Sequence, residues 1–107
     1  MKFFLDTASI DSINSWKSFG FVDGVTTNPT LLSKESNEPV KVLQEICKIV
    51  KGDVSAQVTY SDSKEMVEQA NFLKSLSKNI VIKLPCTLDG IKASKILIKK
   101  NTKINIT

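Results

Sequence analysis

The sequence predicts an α/β protein: about five parallel strands alternating with helices in one sheet. Three observations carry that expectation. Short β-branched runs recur along the chain, best seen in Ile80-Val81-Ile82-Lys83-Leu84; stretches with apolar residues at helical spacing lie between them; and capping or breaking residues mark the junctions. Strands alternating with helices over the whole length imply right-handed βαβ units, hence a parallel sheet.

Residues 2–6 read as a first strand, after which Ser9 caps a helix through Ile10, Ile13, Trp16 and Phe19 that Gly20 closes. The second strand is expected over Val22 to Thr26, and Asn28 with Pro29 forms an N-cap and N1 pair for a short helical turn through Leu31 and Leu32. Pro39 opens a longer helix whose apolar positions are Val42, Leu43, Ile46, Cys47 and Val50, ended by Gly52. A third strand spans Val54 to Thr59. Asp62 and Glu65 have capping-box spacing and lead a helix through Met66, Val67, Ala70 and Leu73. Ile80 to Leu84, bounded by Pro85, is the fourth strand, apolar enough to be buried on both faces. Thr87 begins a helix through Ile91, Ile96 and Leu97, and Lys103 to Thr107 reads as the fifth strand.

Composition bounds the function classes. A chain of 107 residues is expected to form a single domain, with 41% apolar and 24% charged residues as in ordinary globular proteins and no apolar run of membrane-spanning length. Asp6 interrupts the N-terminal apolar run too early for a signal peptide, so the cytoplasm is the expected compartment. With two distant cysteines, Cys47 and Cys86, and no histidine, a transition-metal site is not expected, and both cysteines read as packing residues. The net charge of +4 is concentrated in Lys92, Lys95, Lys99, Lys100 and Lys103. Without interleaved aromatics or a binding motif these read as a solvated helix face and not as a nucleic-acid patch.

The informative pattern is where polar residues fall. At period two Lys83 points the same way as Val81, with Ile80, Ile82 and Leu84 on the opposite face. In the same way Asp6 shares a face with Phe4, Thr26 with Gly24, Gln57 with Ser55, and Thr107 with Asn105. Each strand thus ends in a polar side chain, and in parallel sheets and barrels binding sites form at the carboxyl ends of strands. Taken alone, Lys83 is either solvated at the strand end or held in a dry site, where desolvation favours the free amine that attacks carbonyls. Asn28 is either a helix cap or a ligand donor, and Thr26 and Thr107 are either β-branched strand residues or hydroxyl donors. Asp6 is the hardest to read as structural, because a carboxylate buried beside Phe4 is costly.

The blocks Phe4-Leu5-Asp6-Thr7, Gly24-Val25-Thr26-Thr27-Asn28-Pro29-Thr30, Ser55-Ala56-Gln57-Val58, Ile82-Lys83-Leu84-Pro85 and Ile104-Asn105-Ile106-Thr107 resemble, in order and spacing, the transaldolase family. Its short subfamily, which includes fructose-6-phosphate aldolase, is the nearest in kind. The resemblance implies that Lys83 forms a Schiff base with a phosphorylated ketose and that Asp6 is the acid/base of carbon–carbon cleavage. It implies that Gln57 holds a catalytic water, a place where many transaldolases have glutamate and the aldolase subgroup has glutamine. Asn28 and Asn105 would hydrogen-bond dihydroxyacetone hydroxyls, with Thr26 and Thr107 beside them. No cofactor is implied.

The resemblance also implies an eight-stranded (β/α)8 barrel, of which this chain supplies strands one to five. The expected fold is therefore a partial TIM-type barrel completed by oligomerisation, with a second copy supplying the missing wall and lysines of the partner replacing the phosphate grip. An open flavodoxin-like sheet and a split enzyme with a separate complement are the other two arrangements. Transfer of a dihydroxyacetone unit to an aldose phosphate is the expected reaction. Release of free dihydroxyacetone, or a non-catalytic binding module, are the alternatives.

Overall fold

The computed structural model describes residues 1–107. Its elements are β1 (Phe4–Asp6), α1 (Ile10–Lys17), β2 (Gly24–Thr26), α2 (Pro29–Glu35), α3 (Pro39–Ile49), β3 (Asp53–Gln57), α4 (Ser63–Leu76), β4 (Ile80–Leu84), α5 (Leu88–Lys99) and β5 (Ile104–Ile106). The five strands form one sheet in the order β1-β2-β3-β4-β5, every neighbour parallel.

That order has a physical consequence. Successive right-handed crossovers that always step in the same direction place every helix on one face of the sheet. The order is that of a barrel wall and excludes the flavodoxin-like rearrangement, in which the winding reverses. The core accordingly lies between helices and sheet: Val25, Val54, Ala56, Ile80, Ile82 and Leu84 meet Ile13, Leu43, Ile46, Met66, Ala70, Ala93 and Leu97, all buried. Val81, on the other face, is also buried, so β4 is covered on both sides near its middle, as its sequence predicts.

Local chemistry fixes the helix starts. Ser9 Oγ accepts from the Ser12 N–H, Asn28 Oδ1 from Leu31, Asp62 from Lys64 and Glu65, and Thr87 Oγ1 from Gly90, so four expected N-caps are formed. No reciprocal bond from Glu65 to the Asp62 N–H is made, which leaves only half of the capping box. α1 ends at Lys17 with Ser18 as its cap, two residues short of the expected Phe19, and Gly20 adopts φ +82 in the turn that follows instead of closing the helix.

Gly52 differs from expectation. The cap of α3 is Val50 in extended conformation, and Gly52 is required instead by close approach: a Cβ there would collide with the Asp23 carbonyl. The strands are shorter than the runs suggest. Residues 2–3, 22–23, 58–59, 103 and 107 lie outside the strands, and only β4 keeps its expected bounds.

Cys47 is half-buried against the core, and burial pushes its thiol up, partly opposed by a hydrogen bond with Ser77. Cys86 is exposed and is not the packing residue expected. A thiol reagent at neutral pH should therefore label Cys86 quickly and Cys47 only after unfolding. Two fast equivalents per folded chain would contradict this packing.

The apolar surface is unevenly distributed. Phe3, Trp16, Phe19 and Phe21 form an exposed cluster beside β1, with ring centroids 5.7 Å apart for Trp16–Phe19 and 5.9 Å for Phe3–Phe21. Leu88, Ile91, Ile98 and Ile106 are exposed at the opposite flank, on α5 and β5.

Candidate functional site

The polar strand ends come together on the face that carries no helices. Asp6 pairs with Thr26, Thr26 with Ser55 and Ser55 with Val81, forming one row across the sheet. Two residues further along the strands, roughly 6.6 Å higher at 3.3 Å per residue, Gln57 pairs with Lys83 and Lys83 with Asn105. Extending the β2–β3 register by two residues brings Asn28 level with Gln57. Thr107 continues β5 past its last ladder residue, its N–H donating to Leu84 O and its carbonyl accepting from Cys86. All seven expected residues, Asp6, Thr26, Asn28, Gln57, Lys83, Asn105 and Thr107, thus fall at the carboxyl ends of the strands.

Their environments differ. Thr26 Oγ1 donates to Asp6 Oδ1 at 2.9 Å, a charge-assisted bond that fixes the carboxylate on its strand. Asn28 uses Oδ1 to cap α2, which leaves its Nδ2 hydrogens free to donate, so cap and ligand donor are compatible roles. Lys83 is half-buried, flanked in register by two carboxamides, and its Nζ makes neither an ion pair nor a hydrogen bond within the chain.

Asp6 does not match the reason given for singling it out. It is exposed, as are Asn105 and Thr107, on the outer strands β1 and β5, whereas Ser55 and Val81 on the inner strands of the same face are buried, so the cost of burying the Asp6 carboxylate is not incurred within the chain. Of the C-terminal lysines, Lys103 sits at the other end of the strands in an ion pair with Asp53, 3.1 Å, and is not available at the Lys83 end.

Two residues beside the site, Ser55 on this face and Thr27 in the turn after β2, were given no role by the sequence reading. Ser55 lies one row below Gln57 and is 2% exposed, and its Oγ finds no partner. Thr27, fully buried, donates from Oγ1 to Ser55 O at 2.7 Å and from its N–H to the same carbonyl, which pins the turn leading to Asn28. A signal existed for Thr27 in the doubled Thr26-Thr27; nothing in sequence marks a serine hydroxyl as unpartnered.

A cavity of about 610 Å³ adjoins the site above β3 and β4, lined among others by Gln57, Tyr60, Pro85 and Thr87. It is larger than the apolar groove of about 430 Å³ between α2, α3 and α4, where Leu43 and Phe72 are prominent. Of the seven strand-end residues only Gln57 lines this space, and Gln57 lines the smaller groove as well. No cluster of three metal-ligating side chains is present, and no helix is long and apolar enough to cross a membrane.

A singly wound parallel sheet with helices on one face and an amine, a carboxylate and carboxamides at its carboxyl ends belongs to the (β/α)-barrel class, as part of such a barrel. The profile of the transaldolase/fructose-6-phosphate aldolase family matches residues 3–107, and the chain belongs to that family. It is 50% identical over 107 residues to a probable transaldolase of Methanococcus maripaludis, covering 100% of this chain and 50% of the relative. Probable transaldolases of Desulforapulum autotrophicum and Brucella ovis match over the same 107 residues, 100% of this chain, at 49% and 47% identity, covering 50% and 49% of those relatives. The chain spans about half the length of the curated relatives it matches.

Proposed function

We propose that the chain is a transaldolase-type, Schiff-base aldol enzyme acting on a phosphorylated ketose such as fructose 6-phosphate or sedoheptulose 7-phosphate. The observation that carries the reading is Lys83: an amine engaged by no carboxylate, half-buried, and held in register between Gln57 and Asn105 at the carboxyl end of the sheet. Its free base attacks the ketose C2 carbonyl, and loss of water from the resulting carbinolamine gives a protonated imine. Asp6 accepts the proton of the C4 hydroxyl as the C3–C4 bond breaks. The electron pair of that bond passes into the imine, leaving an enamine on Lys83 and releasing an aldose phosphate.

In transfer, the enamine attacks the carbonyl of an acceptor aldose phosphate and Asp6 returns its proton to the new hydroxyl. Water then hydrolyses the imine and frees the lysine. Asn28 and Asn105 hydrogen-bond the dihydroxyacetone hydroxyls, with Thr26 and Thr107 beside them, and Gln57 holds the water without being able to take its proton at neutral pH. The chemistry is carried by the imine, and the protein supplies position and electrostatics.

A second copy of the chain covers the strand ends, where Asp6, Asn105 and Thr107 are exposed, and dries Lys83. A second reading is favoured by Gln57. Carboxamide in place of carboxylate suits an aldolase that releases dihydroxyacetone after the enamine is protonated at C3. Product formation from fructose 6-phosphate with and without erythrose 4-phosphate separates the two. Sedoheptulose 7-phosphate formed only with the acceptor supports transfer, dihydroxyacetone formed without it supports cleavage, and neither product from folded protein contradicts both.

Thr26→Val tests the acid/base. It keeps shape and strand preference but removes the donor to Asp6, so cleavage should fall about tenfold, equivalent to roughly 1.4 kcal/mol. Stability should stay within about 0.5 kcal/mol because the site is half-open. Equal loss of rate and stability would mean that Thr26 is structural only.

A further inference from the structure

We propose that Gln69, in the middle of α4, is a positioning residue of this site: its side chain clasps Thr59 and so fixes the end of β3 from which Gln57 holds the water of the Lys83 imine. This deepens, and rests on, the Schiff-base reading above. The Gln57 carboxamide makes no hydrogen bond within the chain, so its place is set by its backbone. On the β4 side that backbone is held by the register with Lys83 and by the Val58 N–H, which donates to Lys83 O at 3.1 Å. Past Val58 the chain leaves the sheet. Thr59 is then tied to α4: its N–H donates to Gln69 Oε1 at 2.7 Å, and its Oγ1 accepts from Gln69 Nε2 at 3.0 Å. Thr59, Tyr60 and Ser61 make no other hydrogen bond.

The chemistry of the clasp fixes its direction. A backbone N–H only donates, so the atom facing it is the amide oxygen, and the amide nitrogen is turned to the hydroxyl. Gln69 reaches from a fixed base, since Met66, Ala70 and Leu73 hold α4 in the core. Gln57, Thr59 and Gln69 line the same groove between α2, α3 and α4, which keeps the clasp beside the residue it positions. β3 is the central strand, so these contacts lie away from both sheet edges.

The consequence for the reaction is specific. Water leaves as the carbinolamine becomes the imine and returns as the imine is hydrolysed. A loosened Gln57 slows both directions alike and leaves their equilibrium where it was.

Gln69→Leu should therefore lower kcat for fructose 6-phosphate about tenfold, with KM within about twofold of wild type. Samples reduced with borohydride at successive times should climb to the same plateau of Lys83 adduct as wild type, about tenfold more slowly. Damage to the fold would lower the plateau instead. Gln69→Glu, whose carboxylate accepts from both the N–H and the hydroxyl of Thr59, should restore most of the rate. Added to Gln57→Leu, the Gln69→Leu change should cost nothing further, because its effect passes through Gln57. Gln69→Ala serves if Gln69→Leu unfolds. With a wild type that forms the adduct, three results overturn the inference and spare the Schiff-base reading: a wild-type rate in Gln69→Leu, a loss that Gln69→Glu does not restore, or losses that add in the double variant. A wild type that forms no adduct refutes the Schiff-base reading and the water role with it. Amide exchange at Thr59 then decides the clasp alone: faster in Gln69→Leu if the clasp holds the loop, unchanged if it does not.

Discussion

Lys83→Ala is expected to lower turnover of fructose 6-phosphate by on the order of a thousandfold or more, with the fold intact. The loss follows from the reaction: without the amine no imine forms, and carbon–carbon cleavage has no electron sink. Lys83→Arg should be as inactive as the alanine variant although it keeps the charge, because a guanidinium does not give up its proton in a protein. That pair of variants separates nucleophile from cation. If Lys83 served only to attract a phosphate, arginine would retain most of the activity and alanine would raise KM more than it lowers kcat. Neither change should unfold the chain, since Lys83 makes no hydrogen bond or ion pair within it and its register neighbours are held by backbone bonds. Circular dichroism and initial-rate kinetics on the three proteins decide between the accounts.

Gly90→Ala is expected to destabilise the chain by about 2 to 3 kcal/mol, although helix propensity alone predicts a gain of about 1 kcal/mol for alanine inside a helix. Two effects compete, and geometry decides. Gly90 is buried in the first turn of α5, and an added Cβ would fall well inside 3.0 Å of the Pro85 carbonyl oxygen. The obstacle is backbone, so it cannot rotate aside. Either α5 lifts from the end of β4 or the Pro85 peptide turns, and both displace the strand end that carries Lys83. The variant should therefore unfold at a lower denaturant concentration and also lose activity beyond what its folded fraction accounts for. An alanine variant more stable than wild type would mean that the turn after β4 yields easily and does not position Lys83.

How far the sequence went can be traced residue by residue. Parallel strands and helix starts were legible because they depend on local chemistry: Ser9, Asn28, Asp62 and Thr87 cap where their spacing says they should. The polar strand ends were legible because period two fixes which face each takes, and the registers of Asp6 with Thr26 and of Gln57 with Lys83 and Asn105 bear that out. What failed depends on contacts distant in sequence. Gly52 looks like a helix stop but exists to let Asp23 pass close by. Cys86 looks like filler, yet the turn after Pro85 leaves it in solvent. Asp6 looks buried beside Phe4, and only the sheet order shows that its strand is an outer one, with the carboxylate exposed. Phe4 itself lies over Gly24, where a side chain would clash with its ring, a pairing between neighbouring strands that neither residue announces.

The central claim is that the Lys83 amine takes up a ketose carbonyl. Incubating the protein with fructose 6-phosphate, reducing with borohydride and mapping the product by intact and peptide mass tests it most directly. The account predicts a single ketose-derived adduct on the peptide containing Lys83, absent from Lys83→Ala. Folded, oligomeric protein that acquires no adduct, or acquires it equally on Lys92, Lys95 and Lys99, would contradict it.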